Sequence, residues 1–366
     1  MKNKIKCFLT FVLTFSFIFG FSVWSLIKPD KDISITERRP LKQFPSISFQ
    51  TINNRTFMTD FESYALDQFP LRDEFRGLKS FTSLKLLRQK NNNDLFLYKN
   101  HIFKLDYPLS IDSIHYASKV FSDINEQYLT KNNKIYLSVI PDKNYYISNK
   151  NGKLLIDYNV LIETIKSNCD FAEYIDISNM LSLEDYYRTD SHWKQENIVD
   201  VADKLLDSMD CEYSDTSVKI NKADNEFYGV YHGQLALSLP NDEIYYLTDK
   251  YTENTAVFNY ETKKYESVYN FEKLYGKDPY EIYLSGPVSL LTLENNLIKN
   301  GKELIVFRDS FTSSIAPLML KGYSKITLVD IRYLQSKTIG QYISFDNQDV
   351  LFMYSSSVLN NSATLK

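Results

Sequence analysis

The run Glu303-Leu304-Ile305-Val306-Phe307 is almost wholly apolar and stops abruptly at Arg308-Asp309-Ser310. Phe311 to Leu320 then begins with the pattern of a helix. An apolar run this short, without alternation, fits a strand buried on both faces of a parallel sheet. In open α/β sheets, ligands collect beyond the carboxyl ends of such strands. A serine on the turn from strand to helix exposes its hydroxyl there, beside the unpaired N–H groups of the helix start. An acyl-transfer nucleophile and its oxyanion donors fit that place. The plainer reading of the same stretch has Asp309 or Ser310 capping a helix. Taken alone, the stretch does not choose between them.

Other segments repeat the strand pattern. Lys134–Val139 leads through Ile140 and Pro141 to Asp142-Lys143, and Ser324–Asp330 and Asp349–Ser355 are further strands. Ala172–Ile177 reads as a short one. Helical spacing marks 56–87 as two amphipathic helices broken at Phe69-Pro70, and also marks 111–131, 160–167, 194–209 and 334–344. Residues 95–105 look like a hairpin, and 288–299 is expected to be partly helical. Strands alternating with helices favour an α/β fold with a parallel sheet. Residues 218–284 alternate more than they show helical periodicity, and read as an inserted set of short β segments and loops.

Lys2, Lys4 and Lys6 precede a run from Cys7 to Ile27 that carries no charge. Its length suits a transmembrane helix, and the lysines before it keep the N-terminus on the cytoplasmic side. Ser22-Val23-Trp24-Ser25 is a poor cleavage site, which favours an uncleaved anchor in the cell membrane with the rest outside. The expected division is 1–6 cytoplasmic, 7–27 anchor, 28–55 stalk and 56–366 outer domain. A net charge of −4 gives no basic surplus for nucleic acid. Abundant Tyr suits stacking on sugars, although codon bias explains it equally. Cys169 and Cys211 are the outer cysteines, open to pairing but too few for a disulfide scaffold. No Cys/His cluster suggests a metal, and no cofactor is expected.

Asp190-Ser191-His192 is the other chemical feature. On extended chain, residues two apart point the same way; on a helix they diverge. The helix expected from about Trp193 leaves both on the loop before it, where a carboxylate can orient an imidazole as general base. Helix capping by Asp190 and a surface position for His192 are the plainer alternatives. An Asp-x-His pair plus a serine at a strand-to-helix turn make up the inventory of a hydrolase or acyltransferase triad.

Arg188-Thr189-Asp190-Ser191-His192-Trp193 resembles the signature of the DHHW proteins and of the related SGNH-like O-acetylation proteins of alginate biosynthesis. Further stretches are similar in the same order. They are Glu37-Arg38-Arg39 with Pro45, Asp67-Gln68-Phe69-Pro70-Leu71-Arg72-Asp73, Val139–Lys143, Phe227-Tyr228-Gly229, Arg308–Phe311 and Val329–Tyr333. The resemblance covers about residues 35–358. It implies an SGNH-hydrolase-like α/β/α fold in permuted order, with Ser310 as nucleophile, His192 as base and Asp190 orienting it. Arg332 and Tyr354 are weaker candidates for oxyanion or substrate contacts, as is Arg308, which stands where such proteins tend to have Lys or Gly. Lys143 lines the same end of the sheet. The activity implied is O-acetylation of an extracellular polysaccharide through an acetyl-serine, with a polytopic membrane acyltransferase as acetyl donor. Deacetylation by the same triad, or glycan binding without turnover, are the alternatives.

Overall fold

Alternation along β6 (Glu303–Arg308) sets the layering. Leu304 and Val306 enter one apolar core, while Ile305 and Phe307 enter another. Successive strand side chains point to opposite faces, so the sheet separates two cores and each needs its own cover. On one face lies the helix Val199–Ser208, through Val201, Ala202, Leu205 and Leu206. On the other lie Ile111–Tyr128 and Tyr158–Asn168, through Ile114, Ala117, Phe121, Leu161 and Ile165. Each large aliphatic side chain buried in this way contributes about 1.5–3 kcal/mol.

The computed structural model describes residues 2–147, 154–214, 217–237, 239–299 and 301–366. The chain forms two compact units, one of residues 1–92 with 232–239, the other of 93–231 with 240–366.

The second unit holds a mixed eight-stranded sheet. Its strands in chain order are β1 (Ile135–Ile140), β2 (Glu173–Tyr174), β3 (Thr255–Asn259), β4 (Lys264–Glu266), β5 (Leu290–Asn295), β6, β7 (Lys325–Val329) and β8 (Asp349–Ser355). Their spatial order is β4-β3-β5-β7-β6-β8-β1-β2. From β7 to β2 every pairing is parallel, and β5, β3 and β4 add to the other edge as antiparallel strands. The carboxyl ends of β1, β6 and β8 therefore open on one rim.

The sequence reading differs from this in three places. Residues 290–295 are strand, because Leu291 and Leu293 fill one core and Leu290 the other, a two-sided burial that mimics an apolar helix in sequence. The segment 218–284 is not wholly apart: Lys219–Phe227 pairs with Asp242–Thr248 as a separate ribbon, but β3 and β4 join the main sheet. The helix expected over 334–344 is only a 3₁₀ stretch, Ser336–Gln341, with Ile339 its buried anchor. Cys169 and Cys211 are free and buried in opposite cores, with the sheet between them.

The first unit begins with the helix Lys2–Ile27; its stretch Asn3–Ile27 is long and apolar enough to cross a membrane, at mean hydropathy 2.0. Helices Thr56–Asp67 and Arg72–Phe81 follow, interrupted at Pro70, whose ring and missing N–H end a helix. Two of the motif stretches meet here. Arg39 forks onto Asp67 at 2.8 and 2.6 Å, and Arg72 reaches Glu37 at 2.6 Å. The Arg39 guanidinium holds the Asp67 carboxyl down at about 2.

Candidate active site

β6 ends at Arg308, and the next residues turn sharply into a short helix, Thr312–Ile315, which passes into 3₁₀ geometry around Pro317. Asp309 fixes the turn. One of its oxygens accepts from the Phe311 N–H at 3.0 Å, and the other from the Ser355 N–H at the end of β8, at 2.7 Å. The capping reading of this residue therefore holds, and it leaves Ser310 to face outward. Ser310 Oγ lies 2.8 Å from His192 Nε2.

His192 sits on a bent loop that closes through a bridge between Tyr186 and Trp193. Asp190 Oδ1 is 2.6 Å from His192 Nδ1 and also accepts the His192 backbone N–H at 3.1 Å. Its Oδ2 accepts from the Val230 N–H at 2.8 Å. An ionised carboxylate at Nδ1 requires that nitrogen to carry the proton, which leaves the Nε2 lone pair on Ser310 Oγ. The imidazole is further held by Tyr280, stacked on it at 3.9 Å with planes 13° apart, and by Phe311 at 4.8 Å. Tyr280 is anchored through its hydroxyl to Ser314 Oγ at 2.8 Å, the same oxygen that takes the Trp193 indole N–H at 2.8 Å. An aromatic face flat against the imidazole favours the cationic ring that forms when His192 takes a proton.

The loop carrying Asp190 is fastened from several sides. Asp242 accepts the N–H and hydroxyl of Thr189 at 2.8 and 2.6 Å, and the Arg188 N–H at 3.1 Å. Gly229 packs so close that a Cβ there would meet the Thr189 carbonyl at 2.3 Å. Lys143, buried, donates from Nζ to the backbone oxygens of Asp190 at 2.7 Å, Tyr187 at 3.0 Å and Arg188 at 3.4 Å. Its Nζ also lies 5.3 Å from the ring centres of Phe103 and Tyr231. Burial pushes this amine down to about 7, against the pull of Asp190, Asp242 and Asp142.

Lys143→Met removes the donors and leaves those carbonyls unpaired, so a loss of about 3 kcal/mol is expected, read from denaturant midpoints. The pH dependence has a definite sign. Between about 7 and the ordinary 10.5 the unfolded chain binds the proton and the folded chain does not. Stability from this group therefore rises with pH over that window and is lost as pH falls through 7. In Lys143→Met that slope should flatten.

The three weaker candidates are not hydrogen-bonded to Ser310 or His192 among the described residues. Arg308 is fully buried and spends its guanidinium on Ser313 Oγ at 2.6 Å and the Val288 carbonyl at 3.1 Å, bracing the turn. Arg332 forks onto Asp330 at 2.9 and 2.6 Å. Burial opposes the Arg332 charge, yet with the carboxylate beside it the group titrates above its ordinary range. Tyr354 lies in the core against Phe121, its hydroxyl buried without a partner. Tyr280 and Val230 were not legible as site residues, since Tyr280 lies in a 3₁₀ turn and Val230 opens the short helix Val230–Leu235, both too brief to show a periodicity; Asp278 before Pro279, the start of that 3₁₀ turn, was the one local signal.

No protein-family model matches the sequence, and no curated protein does. Among solved structures, a DHHW family protein from Eubacterium siraeum aligns over 75% of this chain and 97% of its own, at TM-score 0.59 and 16% identity. Bacillus cereus PatB1, solved with a sulfonyl adduct, aligns over 72% of this chain and 97% of its own, at TM-score 0.56 and 16% identity. The O-acetyltransferase domain of Pseudomonas putida AlgJ matches more loosely, with TM-score 0.42 and 10% identity over 74% of this chain and 93% of that one. That last likeness is too loose to support inference. The mixed sheet with helices on both faces is thus an α/β fold of the SGNH-like type, the fold that this chain shares with the DHHW family protein and with PatB1.

Proposed function

We propose that the chain is a membrane-anchored enzyme that transfers acetyl groups to hydroxyls of an extracellular polysaccharide through an acetyl-serine. The observation that carries the reading is the continuous relay from Asp190 through His192 to Ser310, at 2.6 and 2.8 Å. Ser310 Oγ attacks the donor carbonyl while its proton passes to His192 Nε2. The tetrahedral adduct collapses, the leaving oxygen takes that proton, and an acyl-serine remains. A sugar hydroxyl then gives its proton to His192 and attacks the ester, releasing Ser310 as the proton returns. Water in place of the sugar makes the same chain an acetylesterase. Acetyl as the group transferred, polysaccharide as acceptor and a polytopic acyltransferase as donor rest on the sequence resemblance. The anchor is residues 7–27, within the helix Lys2–Ile27, with the N-terminus cytoplasmic by the lysines that precede it.

The test uses full-length protein in detergent with p-nitrophenyl acetate, followed by intact mass and peptide mapping. An acetyl adduct on the peptide holding Ser310, blocked by prior sulfonyl fluoride treatment, is the expected result. Folded protein that gives neither adduct nor nitrophenol release would overturn the reading. Transfer to oligosaccharides then separates transferase from esterase.

A further inference from the structure

The helix Arg72–Phe81 is built inside out. Its polar side faces its own unit: Ser80 is its one buried residue, hydrogen-bonded to the Leu235 carbonyl and to Asn92. Arg76 donates to the carbonyls of Gly233 and Gln234 at 2.9 Å each and reaches Glu37 at 3.1 Å. The apolar stripe is left outside, with Phe75 37%, Leu78 59% and Phe81 54% exposed. A helix of a water-soluble surface has the reverse arrangement.

What covers this stripe follows from its neighbour. Phe21 of the apolar helix stacks on Phe69 at 5.4 Å and meets Phe75 edge-on at 5.6 Å. Phe21 is six residues before Ile27, roughly 9 Å along the helix axis. If that helix spans the bilayer, its contacts hold Phe69 and Phe75 at the headgroup–acyl boundary, about 5–10 Å deep, where interfacial amphipathic helices lie. Beyond Arg72 and Arg76, which turn to Glu37, the stretch 72–90 carries Lys79, Lys85, Arg88 and Lys90, a basic supply that suits anionic headgroups.

We propose that Arg72–Phe81 is a second membrane contact, lying in the outer interface with Phe75, Leu78 and Phe81 in lipid beside the transmembrane helix. The proposal rests on the spanning role of Lys2–Ile27 and is independent of the chemistry at Ser310. It gives the first unit two points of contact with the bilayer.

Full-length Leu78→Trp and Phe81→Trp, each with Trp24→Phe, are reconstituted into phosphatidylcholine–phosphatidylglycerol vesicles with or without bromine on the acyl chains near the headgroup. Trp193 is fully buried and serves as a constant background. Emission from the new tryptophans is expected to fall about twofold in brominated vesicles. Equal emission in both vesicles overturns the proposal: a red-shifted signal open to acrylamide means a bare face, and a blue-shifted one means a protein covers it. Trp24 in the otherwise unmodified chain identifies the source of a failure. Its quenching beside unquenched variants removes the interfacial helix alone, whereas its own lack of quenching removes the span and the proposal together.

Discussion

Ser310→Ala is expected to lower turnover of an activated acetyl ester by about 10⁴-fold or more, to the background of the reagent, and to abolish the acetyl adduct. The size of the effect follows from the position of the hydroxyl. Ser310 Oγ is the group presented to His192 Nε2, and neighbouring hydroxyls are committed elsewhere: Ser313 to Arg308, Ser314 to Trp193 and Tyr280. Neither of these two serines stands ready to replace it. The substitution removes a half-exposed hydroxyl and leaves Asp309 and its two backbone bonds in place, so the folded state and its melting temperature should hardly change. A variant that keeps its adduct, or loses activity only by unfolding, would count against Ser310 as the acylated residue.

Asp190→Asn tests the relay from the other end, and a fall of about 10³- to 10⁴-fold in kcat is expected, with KM little changed. The isostere preserves volume, and its carbonyl oxygen can still accept the Val230 N–H. That choice turns the amide NH₂ toward His192 Nδ1. The imidazole must then place its lone pair at Nδ1 and its proton at Nε2, where it cannot accept from Ser310. Asp190 is buried, so loss of its charge also destabilises the imidazolium that forms during acyl transfer. Nitrogen NMR of the His192 ring reads the tautomer directly. An unchanged tautomer with undiminished kcat would remove Asp190 from the mechanism.

Much of this site was open to reading from sequence because its parts are local. A short apolar run ending in Asp309-Ser310, and Asp190 two residues from His192, state their proximity within a few residues, although the Asp-x-His stretch is a bent loop closed by the His192 N–H on Asp190 and not extended chain. The same holds for β1, β7 and β8, whose burial on both faces leaves no alternation to mislead. Residues 288–299 failed because an apolar segment of that length satisfies both periods, and only pairing of β5 with β3 and β7 decides it. Tyr280 and Val230 were hidden for a related reason. Their roles depend on where distant loops return, and no local pattern records that. Arg72–Phe81 shows a further limit, since amphipathic spacing gives the stripe but not the side that meets the protein.

The fastening of the Asp190 loop has a consequence for the life of the chain before it is folded. His192 and Ser310 are 118 positions apart, and the loop between Tyr187 and His192 is held by Lys143 from one direction and by Gly229, Val230 and Asp242 from the other. Contacts of such separation form late, because chain closure must precede their reward. A chain that already holds both His192 and Ser310 but has not yet folded therefore has the chemical groups and no relay. Acyl-transfer competence would appear only once the last strands are in place. On the proposed mechanism, ester hydrolysis would then serve as a clock for completed folding, silent until the Asp190 loop and the Ser310 turn have met.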